Sequence, residues 1–203
     1  MFKFCSLFSG STGNSLLVET DNSKILVDAG ESAKKIVNAL SLVDVDISDI
    51  DAIIVTHEHS DHVKSLGTLS NKYNIPVYAN LNTWNAMPEQ KNKVLADNQN
   101  VFVTNQDFEI KDLKIHPFAI FHDAAEPCGF NIYNKKKKIS VATDLGHVSP
   151  ELLANLEKSA FVLLEANYDP EILKYSRYPY SLKQRIAGPN GHLSNNNSGE
   201  VVS

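Results

Sequence analysis

The chain has 203 residues, of which 42% are apolar and 21% charged, and a net charge of −5. These values describe one ordinary soluble globular domain with a full core, 1–203, and argue against indiscriminate nucleic-acid binding without excluding a local basic groove. Cys5 and Cys128 form no metal-type spacing and no disulfide framework, no apolar run approaches the ~20 residues of a membrane span, and Met1-Phe2-Lys3-Phe4 opens no signal-peptide core. A cytoplasmic protein without membrane attachment is therefore expected.

The predicted elements begin with a strand over Phe2–Phe8, a turn cluster over Ser9–Ser15, and a second strand from Leu16 to Val18. Lys24–Val27 is a short buried strand ending at Asp28. Residues 31–42 read as a helix, because Ala33, Ile36, Val37 and Leu40 keep the i, i+3, i+4, i+7 spacing. Asp51–Val55 is the next strand. A helix follows with Ser60 as its N-cap, then a strand over Pro76–Ala79 and a helix over Asn82–Met87 stopped by Pro88.

Residues 100–145 are strand-rich, with candidates at Val101–Val103, Phe108–Ile110, Leu113–Phe121, Phe130–Tyr133 and Ile139–Ala142. The run Lys135–Lys138 reads as a solvated hairpin turn. Ser149 and Pro150 open a helix, and Phe161–Leu164 is a further buried strand. The segment from Lys174 to Arg185 interleaves Tyr175, Tyr178 and Tyr180 with basic residues. Such a segment can bind phosphates and stack on nucleotides, and the plainer alternative is a helix–loop–helix whose tyrosines pack and whose charges are solvated. Ser194–Ser198 resembles a loop into a helix cap, and Gly199–Val202 a first helical turn. A single turn costs nucleation and gains little, so the domain is expected to be incomplete at its C-terminus or completed by a partner. The mixture of βα units and hairpins indicates an α/β or α+β domain of packed layers.

The most informative stretch is Thr56-His57-Glu58-His59-Ser60-Asp61-His62, which directly follows the apolar run Ile53-Ile54-Val55. Four potential ligands, His57, His59, Asp61 and His62, fall within six positions, and imidazole and carboxylate at this density suit zinc, manganese or iron. His57 and His59 point the same way on an extended segment, while Asp61 and His62 lie where the chain turns into a helix. One strand end thus addresses two neighbouring points, which suits two metals ~3.5–4 Å apart. Asp28, His122 and Asp144 also terminate apolar strands, the place where ligands gather in layered α/β sheets.

The order Asp28, HxHxDH at 57–62, His122, Asp144 resembles the metallo-β-lactamase fold superfamily. The stretches Ser9–Asn14, His122–Pro127, Ala142–His147, Glu165–Asp169 and Gly191–Asn195 are similar to its YycJ/WalJ branch, and the resemblance runs to about Ser203. It implies an αββα four-layer sandwich, here lacking its last strands and helices, with a dinuclear site at the edge of the two sheets. It also implies a metal-dependent phosphodiesterase or 5′→3′ exonuclease that attacks DNA with metal-activated water.

The resemblance gives His57, His59 and His122 to the first metal, Asp61 and His62 to the second, and Asp144 to both. Asp28 then orients a ligand histidine from behind. His192, in a glycine-asparagine loop, is a ligand or a residue beside the site. Asp61 or Asp144 would orient the nucleophile, and His192, His147 or Glu58 would protonate the leaving oxygen. His116, mid-strand, is expected to have no chemical part. The cofactors expected are two divalent ions, zinc or manganese, with iron as a third option. A metal-binding remnant without turnover, and a thioester or other ester hydrolase of the same fold, are the competing readings.

Overall fold

A computed structural model of the chain describes residues 1–202. Ser203, where the domain was expected to be cut short, lies outside them. Two sheets form the centre. The first runs in the order β1 (Phe2–Phe8), β2 (Ser15–Thr20), β3 (Lys24–Val27), β4 (Ala52–Ile54), β5 (Val77–Asn80), β6 (Gln99–Phe102). Its first three strands are antiparallel and β3 to β6 are parallel, joined by helical crossovers. The second runs β11 (Phe161–Leu164), β10 (Lys137–Ala142), β9 (Cys128–Asn134), β8 (Leu113–Ala119), β7 (Phe108–Ile110), with only β10 and β11 parallel.

The strand sequences explain the layering. In β2, β3 and β4, residues pointing to one face (Leu17, Leu26, Ile53) join a core with α1 (Ala33–Ser41) and α3 (Leu66–Tyr73). Residues pointing to the other face (Leu16, Val18, Ile25, Val27, Ala52, Ile54) join a second core shared with Ile115, Phe130, Ile132 and Val141 of the opposite sheet. Both faces are buried, so these strands are continuously apolar instead of alternating. A third core, around Phe118, Ala142, Leu152 and Leu156, seats α6 (Pro150–Leu156) on the outer face of the second sheet. The result is the αββα sandwich expected. Each fully buried Leu, Ile or Phe in these layers contributes ~1.5–3 kcal/mol.

Several local expectations need correction. The helix after the histidine cluster is two pieces, α2 (Ser60–Val63) and α3, and its N-cap is His59, not Ser60. The break arises because the loop after β3 bonds into it. Ala29 N–H donates to His62 O at 2.7 Å, and Ser65 N–H donates back to Ala29 O at 3.0 Å. Pro88 follows α4 (Leu81–Ala86) but also opens α5 (Pro88–Lys91), where its missing N–H costs nothing. β11 is an edge strand and only half-buried. The C-terminal helix α9 spans Asn195–Val202, two turns instead of one, because Ser194 caps it: its Oγ accepts from Asn197 N–H and its carbonyl from Ser198 N–H.

Candidate metal centre

β3 and β4 of the first sheet and β10 of the second lead into one cluster, and the chain after each delivers polar side chains to it. Asp28 and Asp144, directly after β3 and two residues after β10, both adopt positive φ, 64° and 54°. Aspartate tolerates this left-handed backbone better than most residues. The sharp exit turns each carboxylate inward as its strand stops.

Around them the histidines converge. The ring nitrogens of His57, His59 and His122 can be chosen within 4.8 Å of one another, and so can ligand atoms of His57, His62 and Asp144. His122 Nε2 faces His59 Nδ1 at 3.3 Å, and His62 Nε2 lies 2.8 Å from Asp144 Oδ2. Asp61 joins neither group as closely. Its Oδ2 is 3.7 Å from His62 Nε2 and 3.4 Å from Asn14 Nδ2.

The outward nitrogens are already occupied. His62 Nδ1–H donates to Asp28 Oδ2 at 2.8 Å, and His122 Nδ1–H donates to Gly191 O at 3.0 Å. Asp28 is itself held by Thr56, whose N–H donates to Oδ1 at 2.9 Å and whose hydroxyl donates to Oδ2 at 2.8 Å. This is the arrangement that fixes a metal-ligating imidazole: one nitrogen anchored from behind, the other presented to the centre. His57 Nε2 supplies an independent test of fit. It is buried and has no hydrogen-bond partner among the described residues, a costly state for a polar atom unless something binds it. The donor set of imidazoles and carboxylates suits zinc, manganese or iron.

The electrostatics divide the histidines. Burial pushes His57 and His122 below the ordinary histidine pKa, so both are neutral with a lone pair to offer. Burial also opposes charge on His62, but Asp28 and Asp144 outweigh it and raise its pKa to about 10. Asp144 is held well below the usual carboxylate range. Its burial opposes this, and its contacts with His192 and His62 prevail.

Close packing of backbones positions this machinery. A Cβ on Gly30 would lie 1.6 Å from the carbonyl oxygen of Asp61, so only glycine lets the loop after β3 approach the start of α2. The same approach lets Asn14 N–H donate to Asp61 O at 2.8 Å. Glu58 belongs to neither metal group. Its Oε1 accepts from Ala125 N–H at 2.8 Å and ties down the loop after His122. His147 is also outside them, with Nδ1–H donating to Pro189 O at 3.1 Å and its ring against Phe121 at 4.1 Å. His116 pairs with Asp107 at 2.7 Å, away from the site.

A third group, Asp144, Glu165 and His192, adjoins the first two. His192 Nδ1–H donates to Glu165 Oε1 at 2.7 Å and lies 3.4 Å from Asp144 Oδ1. Burial disfavours its charge, but the two carboxylates raise its pKa to about 10. Glu165 Oε2 also accepts from Leu145 N–H and Leu193 N–H, each at 3.0 Å, which ties the Asp144 turn to the His192 loop. The sequence reading assigned Glu165 no role. The signal was present, since Glu165 directly follows the apolar strand Phe161–Leu164, as Asp28 follows Lys24–Val27. Asn14 and Asp123 were missed as well. Asn14 Nδ2 lies 3.1 Å from His62 Nε2. Asp123 lies 3.4 Å from His122 Nε2 and accepts from Arg185 Nε at 2.6 Å.

The family model described as beta-lactamase superfamily domain matches residues 23–202. An exodeoxyribonuclease YycJ of Bacillus anthracis is 41% identical over 95% of this chain and 73% of its own length. An exodeoxyribonuclease WalJ of Streptococcus pneumoniae serotype 2 is 40% identical over 99% of this chain and 76% of its own. Among solved structures, the metallo-beta-lactamase fold protein YhfI of Bacillus subtilis superposes with a TM-score of 0.74, covering 100% of this chain and 82% of that one at 17% identity. The chain therefore belongs to the metallo-β-lactamase superfamily of metallo-hydrolases and, within it, to the family of the YycJ and WalJ proteins.

Proposed function

We propose that the protein is a dinuclear metal-dependent exodeoxyribonuclease that removes nucleotides from the 5′ end of DNA. The observation that carries the reading is the convergence of four histidines and two aspartates at one sheet edge, in a chain 40–41% identical to proteins named exodeoxyribonucleases. His57, His59 and His122 would hold one ion, Asp61 and His62 the other, with Asp144 between them. His192 adjoins the second position through Asp144. Zinc or manganese fits the donors, and iron is compatible with them. When bound, such a pair lowers the pKa of water from 15.7 to about 7 and offsets charge on the phosphoryl oxygens. Among the described residues no helix is long and apolar enough to cross a membrane; a cytoplasmic setting is part of the same proposal.

The chain's own residues do the remaining work. Asp28 keeps the proton of His62 on Nδ1, so that Nε2 faces the centre. Gly191 O does the same for His122. Glu165 anchors His192 through Nδ1, which leaves Nε2–H to protonate the departing 3′ oxygen of the released nucleotide. In the metal-free protein Glu165 and Asp144 raise the pKa of His192 to about 10 against its burial, so the proton is present on the ring before the ions bind. The side chain of His192 is 22% exposed, so a substrate oxygen can reach it.

The test uses purified protein with Mn²⁺ or Zn²⁺ and oligonucleotides labelled at the 5′ or the 3′ end. Release of mononucleotide from the 5′ label, abolished by chelator and by His57→Ala, is expected. Internal cuts, attack from the 3′ end, or no metal-dependent hydrolysis would overturn the proposal.

A further inference from the structure

The segment after β11 carries two short helices, α7 (Pro170–Tyr175) and α8 (Tyr180–Ile186), joined by a four-residue loop. Residues 172–186 hold Lys174, Arg177, Lys183 and Arg185 and no acidic residue, in a chain whose net charge is −5. The tyrosines here do not pack. Tyr175, Tyr178 and Tyr180 are 76%, 55% and 74% exposed, and Ile172 beside them is 73% exposed. Aromatic rings left this exposed around one loop, in a stretch whose charged residues are all basic, keep ring faces open to stacking.

The segment is nonetheless firmly tied. Lys183 Nζ donates to Lys174 O at 2.7 Å and holds the two helices together. Lys174 sits 5.2 Å over the ring of Tyr175, with Glu171 at 3.8 Å, and the Tyr180 hydroxyl accepts from Gln184 Nε2 at 3.0 Å. Arg177 makes no ion pair among the described residues.

The end of α8 meets the metal centre. Arg185 Nε donates to Asp123, which touches His122, and His192 N–H donates to Ile186 O at 2.8 Å. Along α8, Tyr180 lies five residues before Arg185, ~7 Å of helix rise and about two base-stacking intervals.

We propose that the α7–α8 junction is a binding platform for single-stranded DNA, in which Tyr175, Tyr178 and Tyr180 stack on bases and Lys174 and Arg177 contact phosphates just outside the centre. The proposal rests on the nuclease reading and deepens it: the strand is held as a single strand as its end enters the site. Stacking on aromatic rings beside a basic track is the general mode of sequence-tolerant single-strand binding, and every base offers a face to it.

The test is fluorescence anisotropy with a labelled 12-nucleotide oligo-dT on metal-free protein, followed by turnover of the same oligonucleotide with Mn²⁺. The triple variant Tyr175→Ala/Tyr178→Ala/Tyr180→Ala is expected to bind at least tenfold more weakly, and its KM to rise by a similar factor while kcat changes less than threefold. The matching Phe variant should retain binding, because stacking needs the ring and not the hydroxyl. Leu42→Ser, at another exposed apolar position, serves as the surface control. Equal binding by wild type and triple Ala variant overturns the proposal. So does an equal loss for a blunt duplex of the same length, or light scattering that shows a wild-type dimer which the Ala variant dissolves. Binding that depends on the tyrosines without any turnover by the wild type would instead count against the nuclease reading, so the two failures are distinguishable.

Discussion

Asp28→Asn is the sharpest probe of the centre. The substitution preserves shape, and asparagine tolerates the positive φ at this position as well as aspartate does, so backbone strain is not introduced. What changes is hydrogen-bond logic. The carboxylate accepts three protons, from Thr56 N–H on Oδ1 and from the Thr56 hydroxyl and His62 Nδ1–H on Oδ2. An amide has one oxygen. With the oxygen toward the Thr56 N–H, its NH₂ faces His62 Nδ1–H. Turned over, the NH₂ faces the Thr56 N–H. Either orientation sets donor against donor at a buried position, at a cost of about 1–3 kcal/mol. The alternative is for His62 to move its proton to Nε2, which removes the lone pair the metal needs. Both routes lower metal affinity, by the ~10–100-fold typical of losing the group behind a ligand histidine, or about 1.4–2.7 kcal/mol. Chelator competition with Zn²⁺ measures this, with circular dichroism to show that the fold is intact. A variant that folds and binds zinc within twofold of wild type would refute the reasoning that Asp28 orients His62.

Metal binding should release protons. His62, with a pKa of about 10, is protonated in the metal-free protein at neutral pH, so ligation must displace that proton and affinity should rise up to tenfold per pH unit below about 10. An indicator dye in weak buffer reads the release directly, and none between pH 7 and 8 would exclude His62 as a ligand. The same raised pKa has a stability consequence in the metal-free protein. His62 contributes fully below its unfolded value of about 6.5, and that contribution is lost as pH rises through about 10, which urea titrations across this range would detect. Gly30→Ala forces a Cβ to 1.6 Å from Asp61 O, so the loop must separate from α2; loss of metal affinity with a destabilisation of several kcal/mol is expected, and an unchanged melting temperature would contradict the close approach. Glu165→Gln removes one of the two carboxylates that hold the His192 proton. The alkaline limb of the pH–rate profile should move to lower pH while KM stays nearly constant, and an unmoved limb would remove Glu165 as the positioning residue.

Much of this molecule was legible along the chain. β3, β7 and β11 fall on the residues expected, because short apolar runs bounded by turn signals leave few alternatives. Ser149 and Pro150 marked the start of α6 for the same local reason. The failures were tertiary. Nothing local splits α2 from α3; the split comes from Ala29, more than thirty residues away, bonding into the helix. Packing and stacking on nucleotides both stood open for Tyr175, Tyr178 and Tyr180, because composition does not show that no element covers them. His192 could not be placed from its glycine-asparagine loop, since its partners, Glu165 and Asp144, come from different strands.

Spacing within a strand and across one turn is a property of the chain itself, so the HxHxDH cluster, its preceding strand and the strand-end aspartates already define a metal-binding edge and a superfamily. Which histidines stay neutral, which is charged, and which carboxylate stands behind each depends on burial and on contacts across the two sheets. Only the folded arrangement places Asp28 behind His62, Gly191 O behind His122, and Glu165 behind His192. Residues far apart in sequence acquire those roles by exclusion of water and by distances of about 3 Å, and local sequence encodes neither.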